Sequence, residues 1–292
     1  MAATANAISS RTNARVKQLR AAFAGQERLS GGLLAIEGEH LVEEALRSGV
    51  ILRTIFLVEG QPLPARMPHE VEVVHLTSSV FASAVETQSP QGIAALIERP
   101  VYRISDLLEG QALPLLIVAA GLQDPGNMGT ILRSAEAFGA SCVLTTPGTV
   151  SPWNQKALRA SVGSVFRIPV VATTRNEIAA LQAKHGIRLF AATSATEEGV
   201  RAAQDVDLQQ PHGFLIGNEG AGLAPEWLEL AAERITIPCP GPVESLNAAI
   251  AASLLLYEAS RQRSNARILS EQAVAGPRIP GPLRRRPTGA NR

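Results

Sequence analysis

The chain has 292 residues, of which 46% are hydrophobic and 18% charged, with a net charge of +1. That length and apolar content describe a globular protein of about two domains with sizeable cores. The longest apolar runs, Leu113 to Leu122 and Ala248 to Tyr257, fall short of the roughly 18 residues that a membrane-spanning helix needs.

A polar start, Ser9-Ser10-Arg11-Thr12-Asn13, leads into a helix predicted from Ala14 to Ala24. Arg11, Arg15, Lys17 and Arg20 fall on it or at its start. A second helix is predicted over His40 to Arg47, ending at Ser48-Gly49, a common helix stop. Strand-like runs follow at Ile51 to Val58, Val71 to Leu76 and Gly92 to Ile97, with a short helix over Ser78 to Val85. Pro100 to Pro114 is polar, ends at a proline and reads as a junction. Beyond it, apolar runs at Leu115 to Ala120, Cys142 to Thr145, Phe166 to Val171, Leu189 to Ala192, Gly213 to Ile216 and Ile235 to Ile237 alternate with helical stretches. Those stretches are Met128 to Phe138, Trp153 to Ala160, Asn176 to Lys184, Pro225 to Ala232 and Leu246 to Ser260. Such alternation predicts a parallel sheet covered by helices.

From Arg261 to the end there are eight arginines and one acid, Glu271, so this segment carries +7 and the remainder −6. A basic tail of this kind is either a nucleic-acid contact or merely solvated. Beyond Ala273 its Gly, Pro and Arg composition buries no core and reads as disordered. The expected division is residues 1–106, 107–262 and a tail, 263–292. Cys142 and Cys239 are far apart and lack metal spacing, so they read as two buried thiols in a reducing cytoplasm. The N-terminus lacks the pattern of a secretory signal. No metal site is expected. The histidines at 40, 69, 75, 185 and 212 are scattered, without catalytic or zinc spacing.

Three segments stand where a strand gives way to a loop or helix. The first is Asn127-Met128-Gly129, with Arg133 on the helix that follows. Arg133 lies about 200° round the helix from Ile131, away from the apolar face. It is either a solvated arginine or one poised to grip a phosphate or ribose oxygen. The second is Gly217-Asn218-Glu219-Gly220, directly after an apolar strand. Its glycines allow a tight turn, and Glu219 either is solvated or orients a partner. The third is Pro242-Val243-Glu244-Ser245-Leu246-Asn247. Ser245 is a good N-cap for the next helix, and Asn247 is free for a side-chain task. Ala248, Ala249, Ala251 and Ala252 keep that helix thin enough for close packing. No dinucleotide or Walker glycine fingerprint is present.

In this order and strand context, the three segments resemble the motifs of the SpoU/TrmH family of RNA ribose 2′-O-methyltransferases, within the SPOUT class. The likeness covers roughly residues 110 to 262. The N-terminal part resembles the substrate-binding domain that many members carry, through Arg11 to Lys17, Ile36-Glu37-Gly38-Glu39-His40 and Glu86-Thr87-Gln88-Ser89-Pro90-Gln91-Gly92. The resemblance implies an α/β fold, with a small N-terminal α/β domain and a C-terminal parallel-sheet α/β domain carrying a deep trefoil knot. It implies S-adenosyl-L-methionine as methyl donor and a homodimer with the site near the subunit interface. Gly217, Ile237 and Leu246 would contact the cofactor. Asn127, Arg133, Glu219, Ser245 and Asn247 would form the polar site, and Arg11, Arg15, Lys17 and Arg20 would meet RNA. Guanidinium does not deprotonate in proteins. A charged Arg133 that stabilises a developing alkoxide, with a substrate phosphate taking the proton, is therefore physically easier than Arg133 as base. Ribosomal RNA is favoured over transfer RNA as substrate. An RNA-binding member without catalysis is the alternative. A dehydrogenase is disfavoured by the missing glycine fingerprint.

Overall fold

The computed structural model describes residues 7–110, 113–194, 199–243 and 245–275. The first unit contains α1 (Ala14–Phe23), α2 (Glu27–Ser30), β1 (Leu34–Glu37), α3 (Glu39–Arg47), β2 (Leu52–Val58), β3 (Glu72–Leu76), α4 (Ser78–Ala82) and β4 (Ile93–Ile97). Asn13 starts α1, its side chain accepting the Arg15 N–H at 2.9 Å. The strands lie in the order β1-β4-β2-β3, with β4 antiparallel to both neighbours and β3 parallel to β2.

Alternation along these strands divides the apolar residues between two faces. Ala35, Phe56, Ala94 and Leu96 pack on Val16, Leu19 and Phe23 of α1 and Phe81 of α4. Ile36, Leu57, Ala95 and Ile97 face the other way. They join a cluster that continues through Ile117, Met128, Leu158 and Phe166 of the second unit. One apolar core thus runs through both units.

The second unit follows as α5 (Ile104–Leu108), β5 (Leu115–Ala119), α6 (Pro125–Ala137), β6 (Cys142–Thr145), α7 (Gln155–Ser161), β7 (Val170–Ala172), α8 (Arg175–His185), β8 (Arg188–Ala192), β9 (Arg201–Ala202), β10 (His212–Ile216), α9 (Pro225–Leu228), β11 (Glu233–Thr236) and α10 (Ala248–Ala275). Its sheet runs β7-β6-β5-β10-β8-β11-β9, and every pairing is parallel. β5, β6 and β10 are buried at every position, as continuous apolar runs in a helix-covered parallel sheet should be. No described helix is long and apolar enough to cross a membrane.

Several sequence expectations need correction. The junction contains α5, whose Ile104, Leu107 and Leu108 pack against the sheet at helical spacing. Phe166 to Val171 is not one strand. Ser164–Phe166 forms a 3-10 turn, and β7 begins only after Pro169, which lacks an N–H for the ladder. The helix expected over Pro225 to Ala232 stops at Leu228.

The largest correction concerns the tail. α10 continues past Ser260, where the expected helix stops, to Ala275, so residues 263–275 of the expected tail are helical, and the rest of the segment expected to be disordered lies outside the described residues. Arg263, counted with the basic tail, donates to the carbonyls of Leu113 at 2.9 Å, Gln210 at 3.0 Å, Leu208 at 3.2 Å and Pro114 at 3.2 Å. It also lies 3.2 Å from Nδ1 of His212, whose burial pushes its pKa down to about 4. Arg261 pairs with Glu258 at 2.7 Å. Both arginines therefore serve the fold. Arg278, Arg284, Arg285, Arg286 and Arg292 lie outside the described residues.

α6 is wedged between α7 and α10. Ser134 and Ser253 join α6 to α10 through hydroxyls 2.6 Å apart, and Phe138 meets Tyr257 edge-on. Against α7 the approach is closer. A Cβ on Gly129 would lie 2.5 Å from the Ala157 carbonyl oxygen and 2.8 Å from the Ser161 nitrogen. Gly129→Ala gains about 1 kcal/mol of helix propensity, but backbone atoms of α7 cannot yield to the new methyl. Overpacking of this kind costs typically 1–3 kcal/mol. We expect Gly129→Ala to lower the denaturation midpoint; a midpoint at or above that of the wild type would contradict this packing argument.

Candidate active site

Three loops meet beyond the C-terminal ends of the central strands. The first leads from β5 into α6. Pro125 occupies the first helical position, where a missing N–H is harmless. Asp124 caps the helix, its Oδ1 accepting the Asn127 N–H at 2.8 Å, and its other oxygen pairs with Lys156 at 3.0 Å. Those two contacts hold its carboxyl below the ordinary range.

The second loop is a tight turn after β10. Asn218 and Gly222 exchange backbone hydrogen bonds at 2.9 and 3.0 Å. The Asn218 side chain accepts the N–H groups of Gly220 and Ala221, both at 2.9 Å, and donates to the Gly121 carbonyl at 3.0 Å. A Cβ on Gly217 would fall 2.5 Å from the Gly222 carbonyl carbon, so only glycine lets the turn close. The turn presents Glu219 to the first loop. Its carboxylate accepts the N–H groups of Gln123 at 3.1 Å and Asp124 at 3.0 Å, and the Asn127 amide at 2.9 Å.

The third loop leads from β11 into α10. Here the sequence expectation for Ser245 is overturned: Asn247 is the cap. Its Oδ1 accepts the N–H groups of Ala249 at 2.9 Å and Ile250 at 3.2 Å. α10 begins at Ala248, which leaves Ser245 too far upstream to reach those donors. The Asn247 Nδ2 donates to Oδ1 of Asn127 at 2.9 Å.

These bonds form one continuous chain. Free N–H groups of α10 bond Asn247, Asn247 bonds Asn127, and Asn127 bonds Glu219. A carboxylate accepts only, so Asn127 must turn its NH₂ to Glu219 and its oxygen to Asn247. Burial pushes the Glu219 carboxyl up, but the hydrogen bonds from Asn127, Asp124 and Gln123 outweigh it and the net shift is down. Glu219 is thus an anchored carboxylate.

Beside this chain lies a cleft of about 600 Å³ walled by the second and third loops. Ile216, Ile235, Ile237, Leu246 and Leu255 give it apolar surface, and Gly217, Glu219 and Ser245 also line it. Among the described lining residues, Glu219 carries the formal charge. Ala248 and Ala251 of α10 line it too, while Ala249 and Ala252 pack inward. The thin helix therefore serves the cleft and the core at once. Cys239 lines the cleft and is only half-buried, contrary to its expected burial. Cys142 is buried, and burial pushes its thiol up to about 12.

Sequence reading passed over Thr193. It lies just past β8 and lines the cleft, and its hydroxyl is buried without a hydrogen-bond partner among the described residues. No motif marked it, because its importance arises only when β8 comes to lie between β10 and β11. Glu244 lies outside the described residues.

Arg133 is exposed on the outer face of α6 and does not line the cleft. It lies six positions after Asn127, about 9 Å along the axis. The four N-terminal cations are also exposed. Arg15 pairs with Glu72 at 2.9 Å, and Arg20 donates to the Ser83 carbonyl at 3.2 Å. Arg11 and Lys17 have no polar partner among the described residues. Within the same unit, two of the quoted segments converge. The Glu37 carboxylate accepts the Thr87 hydroxyl at 2.6 Å, and Gln91 accepts the Glu39 N–H at 3.2 Å. Among the described residues there is no cluster of His, Cys, Asp and Glu able to hold a metal.

Comparison with known proteins bears directly on this geometry. Residues 114–257 match the model of the SpoU rRNA Methylase family, and residues 13–95 match the MRM3-like substrate binding domain. The chain is 33% identical over 250 residues to the 23S rRNA (guanosine(2553)-2′-O)-methyltransferase RlmP of Bacillus subtilis, covering 86% of this chain and 97% of that one. It is 30% identical to the 23S rRNA (uridine(2479)-2′-O)-methyltransferase of Streptomyces viridochromogenes, covering 90% and 94%. The crystal structure of the SpoU methyltransferase AviRb from that organism, in complex with the cofactor AdoMet, superposes with a TM-score of 0.75 at 28% identity, covering 86% of this chain and 98% of that one. An AdoMet-bound rRNA methyltransferase from Sinorhizobium meliloti gives 0.76 at 28% identity, covering 88% and 97%. With Asn127, Glu219 and Asn247 joined beside one cleft and relatives matching along nearly their full length, this chain belongs to the SpoU rRNA methylase family.

Proposed function

We infer that the chain transfers the methyl group of S-adenosyl-L-methionine to a ribose 2′-oxygen of ribosomal RNA. The observation that carries this reading is the convergence of Asn127, Glu219 and Asn247 at the rim of an apolar cleft. The fit of the cofactor rests on the cleft itself. Its volume suits a nucleoside-sized molecule. Its walls suit an adenine ring, its charge suits a sulfonium, and the buried Thr193 hydroxyl offers a hydrogen bond. Gly217, Ile237 and Leu246 would hold the cofactor largely by backbone and apolar contact.

When bound, the cofactor would supply an electrophilic methyl group. The protein must then align the attacking oxygen and favour its negative charge. Arg133, exposed and without a polar partner among the described residues, is suited to stabilise the alkoxide, with a substrate phosphate accepting the proton. Glu219 keeps its charge and fixes Asn127, which with Ser245 and Asn247 lines the approach. Ribosomal RNA is preferred over transfer RNA because the relatives named above act on 23S rRNA. Residues 1–106 are proposed as the RNA-binding unit, with Arg11 and Lys17 as its free cations; this is supported by the MRM3-like match.

A homodimer and a trefoil knot complete the reading. Support for the dimer comes from α10, which exposes Ile250, Leu254 and Tyr257 at 51%, 41% and 52%. Their spacing of four and three residues puts them on one face. Val243 is exposed at 57% just upstream. Apolar side chains grouped this way mark an interaction surface. Tyr257 touches α6 through Phe138, so a partner seated there would border the helix that carries Arg133. The knot is proposed for the loops that wall the cleft. A cytoplasmic location is the companion proposal, in keeping with free thiols.

Four expectations test this reading. Labelled methyl transfer and ribose-methylation mapping of ribosomal RNA, with and without the protein, should reveal one modified 2′-oxygen. Arg133→Ala should cut that transfer about 100- to 1,000-fold with cofactor binding intact. Cofactor binding without transfer in the wild type would instead favour a non-catalytic RNA-binding protein. Thr193→Val should weaken S-adenosyl-L-methionine binding in calorimetry by about tenfold, the value of one hydrogen bond; undiminished affinity would remove Thr193 from the cofactor site. Leu254→Asp should convert a dimer to a monomer in analytical ultracentrifugation, whereas a wild type that sediments as an active monomer would defeat the dimer proposal.

A further inference from the structure

We propose that Arg167 is a positioning residue, which by joining Glu44 of α3 to Glu136 of α6 sets where the N-terminal unit presents RNA to the catalytic helix. This deepens the methyltransferase reading and rests on it.

Arg167 follows the Ser164–Phe166 turn and faces both units. Its Nη1 donates to Glu44 at 2.6 Å and to the Ser48 hydroxyl at 3.3 Å. Its Nη2 donates to Glu136 at 3.1 Å, and its Nε bonds the other oxygen of the same carboxylate. The planar guanidinium thus uses one edge as a fork on α6 and a remaining N–H on α3. Glu44 is the less exposed partner, at 12%, and it also receives Arg47 at 2.8 Å. A lysine, as a single point charge, would not reproduce this planar fork.

The backbone before Arg167 is shaped for this contact. Val162 sits in the left-handed region at φ 51°, an unusual place for a β-branched residue. Gly163 follows at φ 85°. A Cβ there would lie 2.6 Å from Cβ and 2.9 Å from Cγ of Glu44. The turn therefore brings the chain hard against α3, and strain of this kind persists only where the surroundings enforce it.

The position of Glu136 gives the contact its functional meaning. It lies three residues after Arg133 on α6, a spacing at which helix side chains meet. Arg167 occupies its carboxylate, and Arg133 has no polar partner among the described residues. The same guanidinium thus leaves the catalytic charge available and links its helix to the RNA-binding unit. Docking itself does not depend on the ions, because a shared apolar core lies beneath. Partly exposed ion pairs add little to stability, so their loss should be felt as misplacement of substrate.

The test compares full-length wild type, Arg167→Gln and Glu44→Gln. Glu44→Gln weakens only the link to the N-terminal unit and keeps the pair with Glu136. Both variants should raise KM for a ribosomal RNA fragment about 3- to 30-fold, with calorimetric affinity for S-adenosyl-L-methionine unchanged; kcat should hold in Glu44→Gln, and fall in Arg167→Gln, where Glu136 is released to pair with Arg133. An unchanged KM would overturn the proposal, as would a parallel fall in kcat and cofactor affinity, the mark of a general structural defect. If Arg167→Gln fails to fold, Glu44→Gln decides the matter alone. If the wild type binds the fragment without methylating it, the functional reading fails, and the same comparison made on the Kd for RNA still decides the role of Arg167.

Discussion

The Glu219 carboxylate ties together chain segments separated by more than ninety residues. It accepts two backbone N–H groups from the loop before α6 and one amide from Asn127, which in turn receives Asn247. Each bond at a wet rim is worth only about 1 kcal/mol net. Their value lies in number and direction, because the acceptor-only carboxylate dictates which way both amides point. The start of α6, the turn after β10 and the start of α10 are thereby fixed relative to one another. The cleft exists only while those three hold station, so its shape and the orientation of its polar rim have one origin.

α6 is the element through which this order spreads. Its first turn belongs to the amide chain, its middle carries Arg133, and its last turns meet α10 through Phe138 and Arg167 through Glu136. Gly129 lets α7 approach to backbone contact on one side. A helix held at so many points has little freedom to shift when RNA arrives, and preorganisation of this kind spares reorganisation during reaction. The first unit shares the core beneath it, so the two units stand on one apolar base.

Much of this was legible in the sequence, for definite reasons. β5 and β10 stood out because a parallel strand covered on both faces is apolar at every position. The three motifs were legible because glycine, proline and polar caps cluster where strands end. What stayed hidden depended on neighbours distant in sequence. Ser245 and Asn247 are both good caps two residues apart, and the contact with Asn127 helps hold the second in place. Gly129 looked like a motif letter until α7 was seen against it. Arg263 was counted by charge among tail arginines, although four carbonyls from other segments claim it. α5 was missed because five residues at helical spacing are too few to outweigh a polar, proline-bounded context.

The placement of β10 has a consequence for how the molecule is made. It lies between β5 and β8, yet it leaves the ribosome after both. Until residue 216 has emerged, β5 and β8 each offer an unpaired edge that the other is not built to satisfy. Arg263 then fastens the last helix to Leu113 and Pro114, at the very entrance of β5. The second unit is therefore a late-closing structure, its central seam filled only after both flanking strands have been made and its two ends latched later still. Nascent chains of this kind spend much of translation with exposed strand edges. For this protein, the interval before closure is the period of greatest vulnerability to mispairing.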